Sequence, residues 1–116
     1  MPLFTLKELV DATAVVRTLV PPTPQYAWPL LGKLTGLDVI VKHENHTPTG
    51  AFKARGGLTY VDALRRAGRL PKGLVTATRG NHGQSIAAVA TRNGIPSVCR
   101  LLDPHGHHRP LSFPSP

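Results

Sequence analysis

The sequence contains little of what several large classes of protein require. Cys99 is its only cysteine, so no disulfide can form within the chain, which agrees with a reducing compartment. No apolar stretch approaches the ~20 residues that a membrane-spanning helix needs. Lys7, Glu8 and Asp11 interrupt the region where a signal peptide would have its apolar run. We therefore expect a cytoplasmic protein without disulfides or a membrane segment.

Acidic residues are also scarce. Lys and Arg total 14 against 6 Asp and Glu, which gives a formal net charge of +8. Such a charge is compatible with nucleic-acid or anion binding. However, the basic residues are scattered, and aromatic residues, at 5%, do not alternate with them. The pattern does not favour nucleic acid as a partner, and a fragment separated from a more acidic remainder would carry the same charge.

The spacing of apolar residues and helix breakers predicts a single α/β domain, for which 116 residues suffice. A capping box at Thr5 and Glu8 opens the first predicted helix. Helices are expected at residues 6–19, 29–35, 51–66 and 81–92, and strands at 37–42, 73–78 and 95–102. Because strands and helices alternate from residue 37 onward, we expect a parallel sheet with right-handed crossovers.

One lysine stands in an unusual setting. Lys53 lies among small and apolar residues at the expected start of a helix, with Gly50 before it and Gly56 and Gly57 after it. An amine that is shielded from water loses its proton more readily and then acts as a nucleophile. We therefore expect Lys53 to be partly shielded and reactive. The two helical glycines suggest that a ligand or another backbone comes close.

A second segment, residues 77–85, reads as a strand-to-helix turn. Its Gly80-Asn81-His82 tripeptide precedes a predicted helix, whose free backbone N–H groups form a natural anion site.

Together these segments resemble the pyridoxal-phosphate enzymes of the tryptophan-synthase-β-like fold, and among them the threonine/serine dehydratases. The resemblance runs from about Thr23 to about Val98. The Gly-Asn-His loop is one of its two motifs. The other is Lys-x-Glu-x-x-x-Pro-Thr-Gly-x-Phe-Lys-x-Arg-Gly, matched by Lys42, Glu44, Pro48, Thr49, Gly50, Phe52, Lys53, Arg55 and Gly56. The resemblance implies an α/β fold, part of a three-layer parallel-sheet architecture.

The resemblance also implies roles at the cofactor. Lys53 would bind pyridoxal phosphate covalently and later act as general base at the substrate α-carbon. Phe52 would flank the cofactor ring, although a core aromatic is an equal alternative. Asn81 would donate a hydrogen bond to the phenolic oxygen of the cofactor; the alternative is a plain helix N-cap. For Arg55 we favour a structural ion pair with Glu44 over a catalytic role.

The substrate α-carboxylate would be held by Thr78, Arg79, Gly80 and His82. Arg79 stands where many dehydratases carry a serine, so it would pair with a substrate side-chain carboxylate or point into solvent. His82 distinguishes the dehydratase pattern from the cysteine synthases, which resemble Gly-Asn-Thr here. A histidine bonded to backbone at a helix start is its alternative.

Other parts of the family pattern have no counterpart. The glycine-rich phosphate loop and the partner of the pyridine nitrogen lie later in the family, and this sequence has no run of four glycines. We therefore divide the chain into residues 1–102, an incomplete amino-terminal part of the fold, and 103–116, a Pro/His-rich tail expected to be disordered. A truncated or frame-shifted gene is one hypothesis. Exposed apolar faces are then expected, and with them self-association or a missing carboxy-terminal half.

The tail carries a short histidine cluster, but we predict no metal site there. Only Asp103 lies near His105, His107 and His108 as a further ligand, so a flexible tail is favoured.

The predicted function is that of an ammonia-lyase, which converts a hydroxy-amino acid to a 2-keto acid and ammonia, with little activity in this chain alone. A β-replacement enzyme or a racemase of the same fold is one alternative. A non-catalytic basic fragment is another.

Overall fold

The computed structural model describes residues 2–102 and 108–113, with the side chains of residues 2–101. The fold is α/β, as predicted. Its elements, in chain order, are α1 (Leu6–Arg17), β1 (Gln25–Ala27), α2 (Pro29–Thr35), β2 (Ile40–Lys42), a 3₁₀ turn (Glu44–His46), α3 (Lys53–Arg66), β3 (Leu74–Thr78), α4 (Asn81–Arg92), β4 (Ser97–Leu102) and β5 (His108–Phe113).

The predicted capping box starts α1. The Thr5 hydroxyl accepts a hydrogen bond from the Glu8 N–H at 3.2 Å, and the Thr5 N–H donates to the Glu8 carboxylate at 2.7 Å. Two N–H groups at the helix end are thereby satisfied, which confirms that part of the sequence prediction.

The strands form two sheets instead of the single parallel sheet that we expected. β3 and β4 are parallel, but β2 pairs antiparallel with β1, a strand that the sequence analysis took for a loop. The bond from the His43 N–H to the Pro24 carbonyl, at 2.9 Å, continues this small sheet beyond its paired residues. The prediction failed for β2 because its partner lies on the amino-terminal side, where β1 is too short to be seen as a strand.

The tail contributes β5, which pairs antiparallel with β4 from Ser97 opposite Phe113 to Leu102 opposite His108. The prediction of a disordered tail is therefore wrong for His108–Phe113. Proline is tolerated at an edge strand, which explains how Pro110 can lie opposite Arg100. Residues 103–107 and 114–116, and with them His105 and His107, lie outside the described residues.

The core lies where α3 packs between α1 and α4. Its buried residues are contributed by these helices and the turn after α1: Val16, Val20, Ala54, Leu58, Val61 and Val89. Helix α4 in turn covers one face of β3 and β4. The close approach depends on Gly83, because a Cβ there would lie 2.6 Å from Cγ2 of Thr78.

Several apolar side chains remain exposed, as expected for a partial fold. Val75, on the other face of β3, is 79% exposed. Helix α2 has no buried residue, and its Leu34 is 83% exposed. None of the described helices is long and apolar enough to span a membrane.

Candidate active site

The loop before α3 is held by hydrogen bonds to a buried threonine. The Thr47 hydroxyl accepts from the Ala51 N–H and donates to the Ala51 carbonyl, each at 2.8 Å. Gly50, with φ of 68°, makes the turn between them in a backbone conformation that favours glycine. This loop delivers the chain to the first residue of α3, which is Lys53.

Lys53 is exposed, so the shielding predicted for it is wrong in the described structure. Its amine lies 4.8 Å from the centroid of the Phe52 ring, within range of a cation–π contact. Phe52 is itself 57% exposed, which excludes the alternative that it is a core aromatic here. The Lys53 side chain is therefore free to reach a ligand, with an aromatic face beside it.

An ion pair fixes the first turn of α3 to the 3₁₀ turn. The Arg55 guanidinium donates two hydrogen bonds to Glu44, at 2.7 and 2.9 Å, and the Thr23 hydroxyl donates a third at 2.6 Å. These bonds, with that from Arg55 first, lower the pKa of Glu44 to about 2. The structure confirms the predicted pairing of Arg55 with Glu44, two residues from Lys53.

The loop between β3 and α4 is organised by Thr78. Its buried hydroxyl accepts hydrogen bonds from the N–H groups of Gly80, at 3.0 Å, and Gly83, at 3.3 Å. It therefore satisfies a donor in the first turn of α4 that no N-cap side chain reaches. In the described structure this hydroxyl is engaged by its own loop. Neighbouring Arg79 is exposed and forms no ion pair with another described residue.

Asn81 and His82 are the first two residues of α4, and both are exposed. Gly80 occupies the N-cap position, so the alternative that Asn81 is the cap is wrong. Within the described part of the chain, neither side chain makes a hydrogen bond, and the two backbone N–H groups find no acceptor. Two free donors at the positive end of a helix form a site suited to an anion.

Lys53 and His82 line the same cavity, of about 510 Å³. Helices α3 and α4 and strand β3 bound it, and its further walls are Gly56, Gly57, Tyr60, Leu74, Val75, Thr76 and Ile86. The amine predicted from one motif and the imidazole predicted from the other therefore meet at one pocket. The other predicted residues, Phe52, Thr78, Arg79, Gly80 and Asn81, adjoin Lys53 or His82 along the chain but do not line it.

The sequence analysis missed one buried contact at this site. The Ser85 hydroxyl donates a hydrogen bond to the Lys53 carbonyl at 2.8 Å, across the interface of α3 and α4. Gly57 makes room for it, because a Cβ at that position would lie 2.4 Å from Oγ of Ser85. The paired glycines had signalled a close approach, but not which of the two is approached or by what.

No metal site competes for these residues. Among the described side chains, no group of three or more His, Cys, Asp or Glu is placed to hold an ion.

The fold and the site define a class that the family comparison identifies. Residues 16–105 match the family model described as "Pyridoxal-phosphate dependent enzyme", and the chain belongs to this family. Pyridoxal phosphate is accordingly the cofactor of the family.

Its similar proteins catalyse more than one reaction. Serine racemase from Homo sapiens is 41% identical over 80 residues, which cover 65% of this chain and 23% of the racemase. L-threonine ammonia-lyase from Thermotoga maritima is 33% identical over 96 residues, 83% of this chain and 24% of the lyase. Threonine synthase from Mycobacterium leprae is 41% identical over 85 residues, 72% of this chain and 22% of the synthase.

A solved structure supports the fold. The crystal structure of a threonine deaminase from the organism abbreviated T.th. matches with a TM-score of 0.68 and 34% identity, over 81% of this chain and 33% of the deaminase. The chain thus spans about a quarter of the length of the curated relatives described above.

The residues present fit the reactive end of the cofactor. An exposed amine opens into a cavity with apolar walls at Leu74, Val75 and Ile86, which suits a planar ring. The free N–H groups of Asn81 and His82 add donors for a negatively charged oxygen.

Proposed function

We propose that this chain is part of a pyridoxal-phosphate-dependent ammonia-lyase that acts on serine, threonine or a related hydroxy-amino acid. The observation that carries the proposal is the single cavity lined by Lys53 and His82. The similarity to L-threonine ammonia-lyase over 83% of the chain supports it as well.

In this proposal Lys53 is the point of covalent attachment for the cofactor and the base of the reaction. Its exposed amine lies at the cavity and takes the proton from the substrate α-carbon. The bound cofactor supplies an electron sink for that step. Phe52 flanks the cofactor ring, and the Asn81 amide donates to its phenolic oxygen.

The loop at the start of α4 holds the substrate α-carboxylate. The free N–H groups of Asn81 and His82 are available to it, and the hydroxyl of Thr78 shapes the loop beneath. Gly80 lets the substrate approach the backbone, and Arg79 would attract a second carboxylate if the substrate carries one. Substrate dehydration and hydrolysis of the enamine product then give a keto acid and ammonia.

A racemase is the second candidate, because serine racemase from Homo sapiens is 41% identical over 65% of the chain. Both activities need the same amine and differ in whether the β-hydroxyl leaves. Serine or threonine incubated with the protein separates them: a keto acid formed without an added nucleophile supports the lyase, and the opposite enantiomer supports the racemase.

The attachment site is tested without turnover. We expect pyridoxal phosphate followed by borohydride to label Lys53 in preference to Lys33 and Lys72, which are equally classed as exposed. Lys53→Ala should abolish the selective label, whereas Lys72→Ala, the matched control, should leave it. Equal labelling of all exposed lysines would support a non-catalytic basic fragment instead. The chain has no glycine-rich phosphate loop, so we expect weak cofactor binding and little turnover from it alone.

A further inference from the structure

We propose that Ser85 is a positioning residue for Lys53, and that Gly57 is the glycine that admits it. The proposal rests on the proposed role of Lys53 and adds to it a contact that fixes where the side chain of this lysine begins. Ser85 does not line the cavity, and its hydroxyl bonds the Lys53 backbone instead of the amine.

The contact joins the two motifs directly. The Ser85 side chain is fully buried, and its hydroxyl donates to the Lys53 carbonyl at 2.8 Å. Ser85 lies about one helical turn after Asn81 and His82 on α4. A bond from this position therefore sets the distance between the first residue of α3 and the free N–H groups that begin α4.

Gly57 allows the two helices to come close enough for that bond. A Cβ at Gly57 would lie 2.4 Å from Oγ of Ser85 and 3.2 Å from Cγ2 of Val89. The adjacent Gly56 has nothing within 4 Å of the same added atom. The two glycines are neighbours in one helix, and only Gly57 is required by packing.

A second buried serine shows that burial alone does not produce such a bond. Ser97 is 2% exposed, and its hydroxyl has no hydrogen-bond partner among the described residues. The two serines are thus matched in burial and differ in whether they bind Lys53. Ser97→Ala is the natural control for Ser85→Ala.

The test compares how selectively the full 116-residue chain is labelled by pyridoxal phosphate and borohydride. The measured quantity is the label on Lys53 divided by that on Lys33 and Lys72, in variants whose circular dichroism remains that of the native chain. We expect Ser85→Ala to lower this ratio about fivefold, as the loss of one buried hydrogen bond would. Ser97→Ala should leave the ratio unchanged. Equal ratios in the two variants would overturn the proposal.

The role of Gly57 is tested by the urea concentration at which half the chain is unfolded. Gly57→Ala should lower this midpoint, whereas Gly56→Ala should hold or raise it, because alanine favours helix where space is free. Adding Ser85→Ala to Gly57→Ala should recover part of the midpoint but not the labelling ratio. If the two glycine substitutions have the same effect, the packing argument is wrong.

A measurement on the unsubstituted chain avoids any failure to fold. A slowly exchanging hydroxyl proton on Ser85 in nuclear magnetic resonance spectra supports a buried donor, and rapid exchange with water contradicts it. If the unsubstituted chain labels all exposed lysines equally, the proposed function fails while this measurement still decides the Ser85 bond. Selective labelling that is insensitive to Ser85→Ala overturns only the positioning role.

Discussion

The ion pair between Glu44 and Arg55 should make a pH-dependent contribution to stability. Glu44→Gln keeps the size of the side chain and removes the charge that two bonds from Arg55 and one from Thr23 stabilise. The displacement of the pKa of Glu44 from 4.5 to about 2 corresponds to about 3 kcal/mol at full effect. Because the carboxylate side chain is 24% exposed, screening by water reduces this to about 1–2 kcal/mol.

The sign follows from a lowered pKa. The folded chain holds Glu44 ionised to lower pH than the unfolded chain does, so the stabilisation is complete above about pH 4.5. It is lost as the pH falls through about 2. The difference in unfolding free energy between the unsubstituted chain and Glu44→Gln should therefore be largest near neutral pH and should vanish in strong acid.

Urea unfolding at a series of pH values measures this difference. Asp38→Asn is the control, because Asp38 is exposed and forms no ion pair with another described residue. We expect that control to change the free energy of unfolding by less than about 0.5 kcal/mol. A Glu44→Gln effect that is the same at pH 7 and near pH 2 would refute the argument, since it would come from packing and not from charge.

Three further predictions concern the described structure. Thr78→Val removes the acceptor for the N–H groups of Gly80 and Gly83, so it should cost about 1–3 kcal/mol in urea unfolding, while Thr78→Ser should cost less. Burial raises the pKa of the Cys99 thiol, so its reaction with a disulfide reagent should be slow in buffer and fast in urea; a fast reaction in buffer would contradict that burial. Thr5→Ala removes the N-cap of α1 and should cost about 1 kcal/mol, seen as a lower Tm; an unchanged Tm would mean that α1 adds nothing to stability.

Much of the local structure could be predicted because the signals lie within a few residues of one another. The bounds of α2 and α4 agree with the prediction, with Pro29 at the start of one and Gly80 just before the other. The capping box at Thr5 also depends on neighbours alone. The two sheets did not follow, because β2 chooses between β1 and the β3–β4 pair by contacts between distant parts of the chain.

The candidate site shows the same division. The motifs around Lys53 and His82 predicted that an amine and a helix start would meet, and the two residues line one cavity. The motifs also led us to expect a shielded amine, whereas Lys53 is exposed. Exposure depends on which segments cover a residue, and that is not a property of its immediate neighbours.

The sequence by itself determined the family, most helix bounds, and which lysine stands apart from the others. Side-chain chemistry and the preferences of glycine and proline act over a few residues, so these features can be recognised before folding is considered. Only the tertiary structure decided that β2 pairs with β1, that the Thr23 hydroxyl joins the pair of Arg55 and Glu44, and that Ser85 reaches Lys53. Each of these contacts requires groups from different parts of the chain to come within about 3 Å, and that proximity arises only when the elements pack.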